Sequence, residues 1–216
     1  MDKIGNYDAN STENEILDFW KNNSTYKNIK KRNANAGGKP FYYLDGPPYT
    51  SGNIHIGHAW GKALRDAVMR YKRAKGFDVW DRAGFDMHGL PISHKVEAKL
   101  GIKGHDEIEK FGVEKFILEC KSLAIENMNS MIADFKRLGV WMDFDNPYKP
   151  IDNSYIEGIW WLIKKAHENK RLYEGFRTLP WCASCETAVA KHELEYKNVT
   201  DNSLFIKFKV KQTSGE

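Results

Sequence analysis

Several things are scarce in this chain, and each scarcity excludes a class of protein. No uncharged apolar run approaches the roughly 18 residues that a membrane-spanning helix needs, so no transmembrane helix is expected. The opening segment MDKIGNYDANSTENEILDFW carries acidic groups and no apolar core of signal-peptide length, so nothing directs export and a cytoplasmic location is expected. Three cysteines are too few, and an odd number, for a disulfide framework. A formal net charge of +4 permits contact with nucleic acid without arguing for it. Repeats and low-complexity tracts are also missing. What remains, 41% apolar and 29% charged residues in a chain of 216, suits a globular protein of one domain, or one domain and the start of another.

The order of elements is legible in the periodicity. Thr12 and Glu15 are spaced as a capping box, and Ile16, Phe19 and Trp20 then share one face of an opening helix. NANAGGKP separates that helix from FYYL, Phe41 to Leu44, which reads as a buried strand. The turn-rich DGPPYTSGN follows, then a helix from about His55 whose Ile56, Trp60, Ala63, Leu64, Ala67 and Tyr71 recur at helical spacing and which Gly76 stops. Asp78 to Trp80 is a second short strand. Strand, long helix and strand imply a parallel crossover unit, hence an α/β sheet of the doubly wound kind, with ligands at the strand carboxyl ends. A long amphipathic helix runs from Val113 to Leu138, ended by Gly139, with Phe116, Cys120, Met128, Met131 and Phe135 as core. A helix near Ser154 to Asn169 comes next. Beyond Arg171 the pieces LYEGF, HELEYK and SLFIKFKV read as short strands around a cysteine pair, with a boundary near Pro180 and a polar tail KQTSGE.

Chemistry concentrates at PPYTSGNIHIGH. A helix that starts just after a strand offers free backbone N–H groups and a partial positive charge to a phosphate. His55 and His58 stand three apart on one face and can donate to a triphosphate, while Gly57 lacks the Cβ that would keep a flat base from the backbone. A bare H-x-G-H also describes two surface histidines at a helix start. Cys182 and Cys185 have the spacing of a zinc knuckle, with His192 as a candidate third ligand; the alternative is a pair of buried or free thiols.

The segment Pro47 to His58, ending His55-Ile56-Gly57-His58, resembles the signature motif of class I aminoacyl-tRNA synthetases. Nucleotidylyltransferases share a looser form, but Gly84-Phe85-Asp86-Met87-His88-Gly89-Leu90-Pro91-Ile92 resembles the isoleucine subfamily more than the valine or leucine ones. The likeness extends from about Glu13 to Phe208 through FKRLGVWMDFDNPY, YIEGIWWLIKKAHE and WCASCETAVAKHELEYKNVTDNS, in wording nearer archaeal and eukaryotic versions. It implies a Rossmann-like catalytic domain whose N-terminal half fills 41–180, after a helical lead-in over 1–40, with 181–216 holding the knuckle and the beginning of a β-rich inserted editing domain.

By the same resemblance, the chain would be the N-terminal part of an enzyme that activates isoleucine with ATP and Mg²⁺ and passes it to tRNA(Ile), with Zn²⁺ at the knuckle. Pro48, His55, Gly57 and His58 would hold ATP, the two histidines acting in catalysis. Gly46 and Pro47 would shape the amino-acid pocket, and the Asp86 carboxylate would take the substrate ammonium; the lesser alternative for Asp86 is a helix cap before HGLPI. Ser93 stands where the family commonly has glutamate, and Gly61 where asparagine is common. The family's lysine-rich KMSKS loop, editing body and anticodon-binding region find no counterpart here, so a separate segment carrying them is an implied partner. The other readings are a non-catalytic nucleotide- or tRNA-binding module and a valine or leucine synthetase.

Overall fold

The computed structural model describes residues 7–183 and 185–209, with His192 described in its backbone alone. The chain divides into two compact units, Met1–Glu174 and Gly175–Glu216. In the first, the opening helix is two helices, α1 (Ala9–Asn22) and α2 (Thr25–Asn35). The start moves ahead of Thr12 because the Asp8 carboxylate caps it, accepting the Ser11 amide at 2.9 Å, and aspartate caps better than threonine. The break falls at Ser24, whose φ of 47° lies in the left-handed region.

Strand β1 (Pro40–Tyr42) pairs in parallel with β2 (Asp78–Trp80), and α3 (Ile56–Ala74) connects them, which is the expected crossover unit. Tyr43 extends the ladder by one bond, its amide donating to the Trp80 carbonyl at 2.9 Å. The strand is not buried as FYYL suggests, since Tyr42 and Leu44 face outward. Directly after β2, β3 (Arg82–Gly84) pairs in parallel with β4 (Asp143–Tyr148) across a bulge. Between those strands the chain forms α4 (Leu90–Leu100), α5 (Gly104–Phe111) and α6 (Val113–Arg137). The first two were not anticipated, although Gly89 and Pro91 mark the start of α4 in the usual manner. Helix α6 supplies Phe116, Ala124, Met128, Met131 and Phe135 as buried positions, confirming its aromatic and methionine residues as core; Cys120 packs half-buried against them. α7 (Asn153–Glu168) follows β4.

One inference from periodicity inverts. On α3 the apolar stripe is outside: Trp60 is 68% exposed and Ile56, Leu64 and Tyr71 are also exposed, whereas Lys62, Asp66, Met69 and Arg73 are buried. The charges can go inside because each has a counter-group. Lys62 pairs with Asp45 and Arg73 with Asp81, while Asp66 takes Arg70 at 2.5 Å and the Trp141 amide at 3.0 Å.

In the second unit, β5 (Trp181–Cys182) and β6 (Thr187–Ala188) form an antiparallel hairpin, followed by a 3₁₀ turn at Lys191–Glu193. The described residues of LYEGF, HELEYK and SLFIKFKV are not strands. Alternating side chains make a strand only against a partner edge, and Leu204, Phe205 and Phe208 stay exposed without one. The tail KQTSGE lies outside the described residues. Among the described residues no helix is long and apolar enough to cross a membrane.

Phe135 is fully buried and stacks on Phe144. Phe135→Ala is expected to cost about 3–5 kcal/mol in urea unfolding, and Phe19→Ala, at an exposed position, no more than about 0.5 kcal/mol.

Candidate functional site

The chain leaves the carboxyl end of β1 and enters α3 through a loop that ends in an unusual cap. His55 is the cap residue: its Nδ1 accepts the Gly57 amide at 3.1 Å, and His58 Nδ1 accepts the His55 amide at 3.4 Å. The two rings stack with centroids 3.7 Å apart. A ring nitrogen that accepts a backbone hydrogen is unprotonated, so these bonds assign each neutral imidazole its proton on Nε2 and leave that N–H as the donor available to a ligand. A Cβ on Gly57 would come within 3.0 Å of the His55 ring, so glycine is what lets the ring fold back over its own backbone.

This cap forms one wall of a cavity of about 610 Å³. Gly46, Pro47 and Pro48 line it from the loop, His55, Gly57 and His58 from the helix start, and Gly61, Lys62 and Arg65 from further along α3, with Lys95 contributed by α4. Six of the seven residues assigned from the sequence to the ATP and amino-acid sites, all but Asp86, therefore line one cavity. Lys62 and Arg65 were missed, although they stand four and seven residues after His58 on the same helical face. Asp45 was missed as well. It is buried at the end of β1, where it pairs with Lys62, accepts the Gly84 amide at 3.2 Å and lies 3.8 Å from Arg65.

Asp86 sits beside the site rather than in the cavity lining. Its amide donates to the Pro48 carbonyl at 2.8 Å and its carbonyl accepts the Thr50 amide at 2.8 Å, so the strand end that carries it is fastened to the loop that carries Pro47 and Pro48. It does not cap α4, whose cap residue is Gly89. The Tyr148 hydroxyl nearby is pushed up to about 12 by burial first, then by the negative charges of Asp45 and of neighbours including Asp86. Ser93 turns its hydroxyl back to the Gly89 and Leu90 carbonyls, both at 3.3 Å. Gly61 borders open space, since a Cβ there would meet nothing within 4 Å. On the β5–β6 hairpin of the second unit, the Cys182 and Cys185 sulfurs lie 3.3 Å apart and the Cys185 amide donates to Cys182 Sγ at 3.4 Å. Among the described residues there is no group of three or more histidine, cysteine, aspartate or glutamate side chains able to hold a metal. The side chain of His192 lies outside them.

The profile of the family described as tRNA synthetases class I (I, L, M and V) matches residues 15–213. The chain belongs to this family. It is 48% identical over 206 residues to an isoleucine–tRNA ligase of Methanoregula boonei, covering 95% of this chain and 19% of the relative. It is 47% identical over 213 residues to an isoleucine–tRNA ligase of Pyrococcus horikoshii, covering 97% of this chain and 20% of the relative. The chain thus spans about a fifth of the length of these relatives. Among solved structures, a ternary complex of the Agrobacterium radiobacter K84 agnB2 LeuRS with tRNA and LeuAMS superposes with a TM-score of 0.64 at 23% identity, over 87% of this chain and 22% of that one. That likeness establishes the α/β fold of the class I catalytic domain.

Burial first, then the electrostatic influence of the neighbouring His55 ring and of the Lys62 ammonium, lowers the His58 pKa. The folded protein therefore binds fewer protons at this ring than the unfolded chain does. This ring leaves stability unaffected above the usual imidazole value of about 6.5 and reduces it as pH falls from there through the lowered folded value. An NMR titration is expected to put the His58 midpoint below that value, and His55→Ala to move it upward. A midpoint at or above the ordinary value would contradict the geometry of the stacked pair.

Proposed function

We propose that this chain supplies the ATP-binding and amino-acid-binding walls of an isoleucine–tRNA ligase, for the ATP-dependent formation of isoleucyl-adenylate and the transfer of isoleucine to tRNA(Ile). The observation that carries the reading is the α3 cap: two imidazoles committed through Nδ1 to the backbone, with Nε2–H groups left at a helix N-terminus. The family uses ATP with Mg²⁺, and the cavity has the donors and cations a triphosphate needs. His55 and His58 would donate to its oxygens, Gly57 would admit the adenine, and Pro48 would flank it. Gly46, Pro47 and Asp86 would hold the amino acid, Asp86 through its ammonium. Catalysis at such a site is mostly positioning and stabilisation of charge on the phosphates. Isoleucine as the substrate is supported by the names of the relatives and by the GFDMHGLPI segment.

The second part of the proposal concerns the knuckle. Residues 181–216 would open the inserted editing domain, and the two thiols would grip Zn²⁺ as half of a tetrahedron. Their spacing and the hydrogen bond from the Cys185 amide to Cys182 Sγ suit thiolate ligation, while no group of three or more ligating side chains is found among the described residues. The chain would work in the cytoplasm, where such thiols stay reduced.

Calorimetry on the purified chain tests the first part. ATP is expected to bind, His58→Ala to weaken it by roughly tenfold or more, the loss of a hydrogen bond to a charged group, and Asp86→Ala to abolish isoleucine binding without changing the circular dichroism. Equal ATP affinity in His58→Ala and the parent would refute the phosphate site. For the knuckle, less than one zinc per chain and rapid loss to a chelator are expected, with no change in the melting of the first unit. Stoichiometric zinc whose removal unfolds the whole chain would show a complete site instead.

A further inference from the structure

The best-enclosed charges at the cavity belong to a pair that the histidine motif does not include. Asp45 is buried at the carboxyl end of β1, and its carboxylate meets the Lys62 ammonium, the Gly84 amide at 3.2 Å and the Tyr43 hydroxyl at 3.3 Å; its own carbonyl accepts the Tyr148 hydroxyl at 2.9 Å. Lys62 is buried too, lines the cavity one turn below His58, and sits 5.2 Å from the Phe135 ring centroid. Three elements thus converge on one carboxylate: the loop that continues into Gly46 and Pro47, the α3 face that carries His58, and the β3 strand that runs on to Asp86.

We infer that Asp45 is a positioning residue of the nucleotide site, which keeps Lys62 charged in the cavity wall and holds the phosphate wall and the amino-acid wall at a fixed separation. The inference rests on the ATP reading above. A buried lysine surrenders its proton unless an anion stands beside it. Burial does lower the Lys62 pKa, and Asp45 opposes that while Arg65 adds to it. The other groups facing the pair do not compete in the neutral range. Tyr43 and Tyr148 are each pushed up to about 12, first by burial and then by Asp45, and so remain neutral hydroxyls. His58 is kept toward its neutral form. The positive charge deep in the site therefore depends on Asp45.

The test is Asp45→Asn, which keeps an acceptor for Gly84 and removes the charge. In the parent, the Lys62 ε-methylene NMR signal is expected to titrate below the ordinary lysine value, and in Asp45→Asn it shifts lower still, because the opposing carboxylate is gone. ATP affinity of the variant should then fall on the order of tenfold as pH rises through that new value, a step that Asp45→Asn/Lys62→Met lacks. A purely structural role for Asp45 would change affinity without creating a lysine-dependent pH step. The inference is overturned if Lys62 titrates alike in parent and Asp45→Asn, or if the pH profile of ATP binding is unchanged. Should Asp45→Asn fail to fold, the double variant, which replaces the pair by neutral groups, must fold and bind ATP about tenfold more weakly than the parent at neutral pH; parent-like affinity overturns the inference. If the parent itself binds no ATP, the ATP reading fails, and the Lys62 titration alone still decides whether Asp45 sets its charge.

Discussion

Helix α3 is held to the sheet by carboxylates that follow two parallel strands. Asp45, after β1, pairs with Lys62 near the helix start, and Asp81, after β2, pairs with Arg73 near its end. Asp81 also gathers the Tyr26 hydroxyl and the Lys30 ammonium, each at 3.0 Å, which ties α2 to the same point. Ion pairs of this kind add little net stability over apolar groups of the same size, because desolvating the charges offsets most of their attraction. What they do is specify. Removing one partner strands the other in the interior, at about 3–5 kcal/mol, so other placements of the helix are costly.

The site follows from that placement. With α3 anchored at both ends, its first turn arrives at the carboxyl end of β1, where its free amides and positive end face the cavity. The histidine cap uses the Gly57 and His55 amides, and both imidazoles line the cavity. The loop through Pro47 and Pro48 cannot drift, because Tyr49 and Asp86 bridge it to the end of the next strand. The helix start and the loop through Pro47 and Pro48 thereby line one cavity, with Asp86 held beside it.

Much of this was readable in the sequence where the physics is local. A helix start after a strand, two histidines three apart and the Gly76 stop all act within a few residues, so the β1–α3–β2 unit and the cap region came through. The inner face of α3 did not. Periodicity assumes that apolar side chains point inward, and here the inward face is charged because its partners lie elsewhere in the chain: Asp45 is 17 residues from Lys62, and the Trp141 amide is 75 from Asp66. Asp45 was hidden for the same reason, as an acid in a turn-rich loop reads as solvated until its neighbours are known. β3 and β4 are short and pair across some sixty residues of helix, and neither carries an alternating pattern long enough to announce itself. The supposed strands beyond Arg171 failed the other way, since they have the pattern and find no partner edge among the described residues.

The central claim is that the α3 cap is a phosphate site. A crystal structure of this chain with a non-hydrolysable ATP analogue tests it most directly. The account predicts phosphate oxygens in hydrogen-bond contact with Nε2 of His55 and His58, with both Nδ1 atoms still accepting their backbone amides and the adenine against Gly57. A nucleotide bound elsewhere, or one seated in the cavity while the histidines turn away from it, would contradict the account.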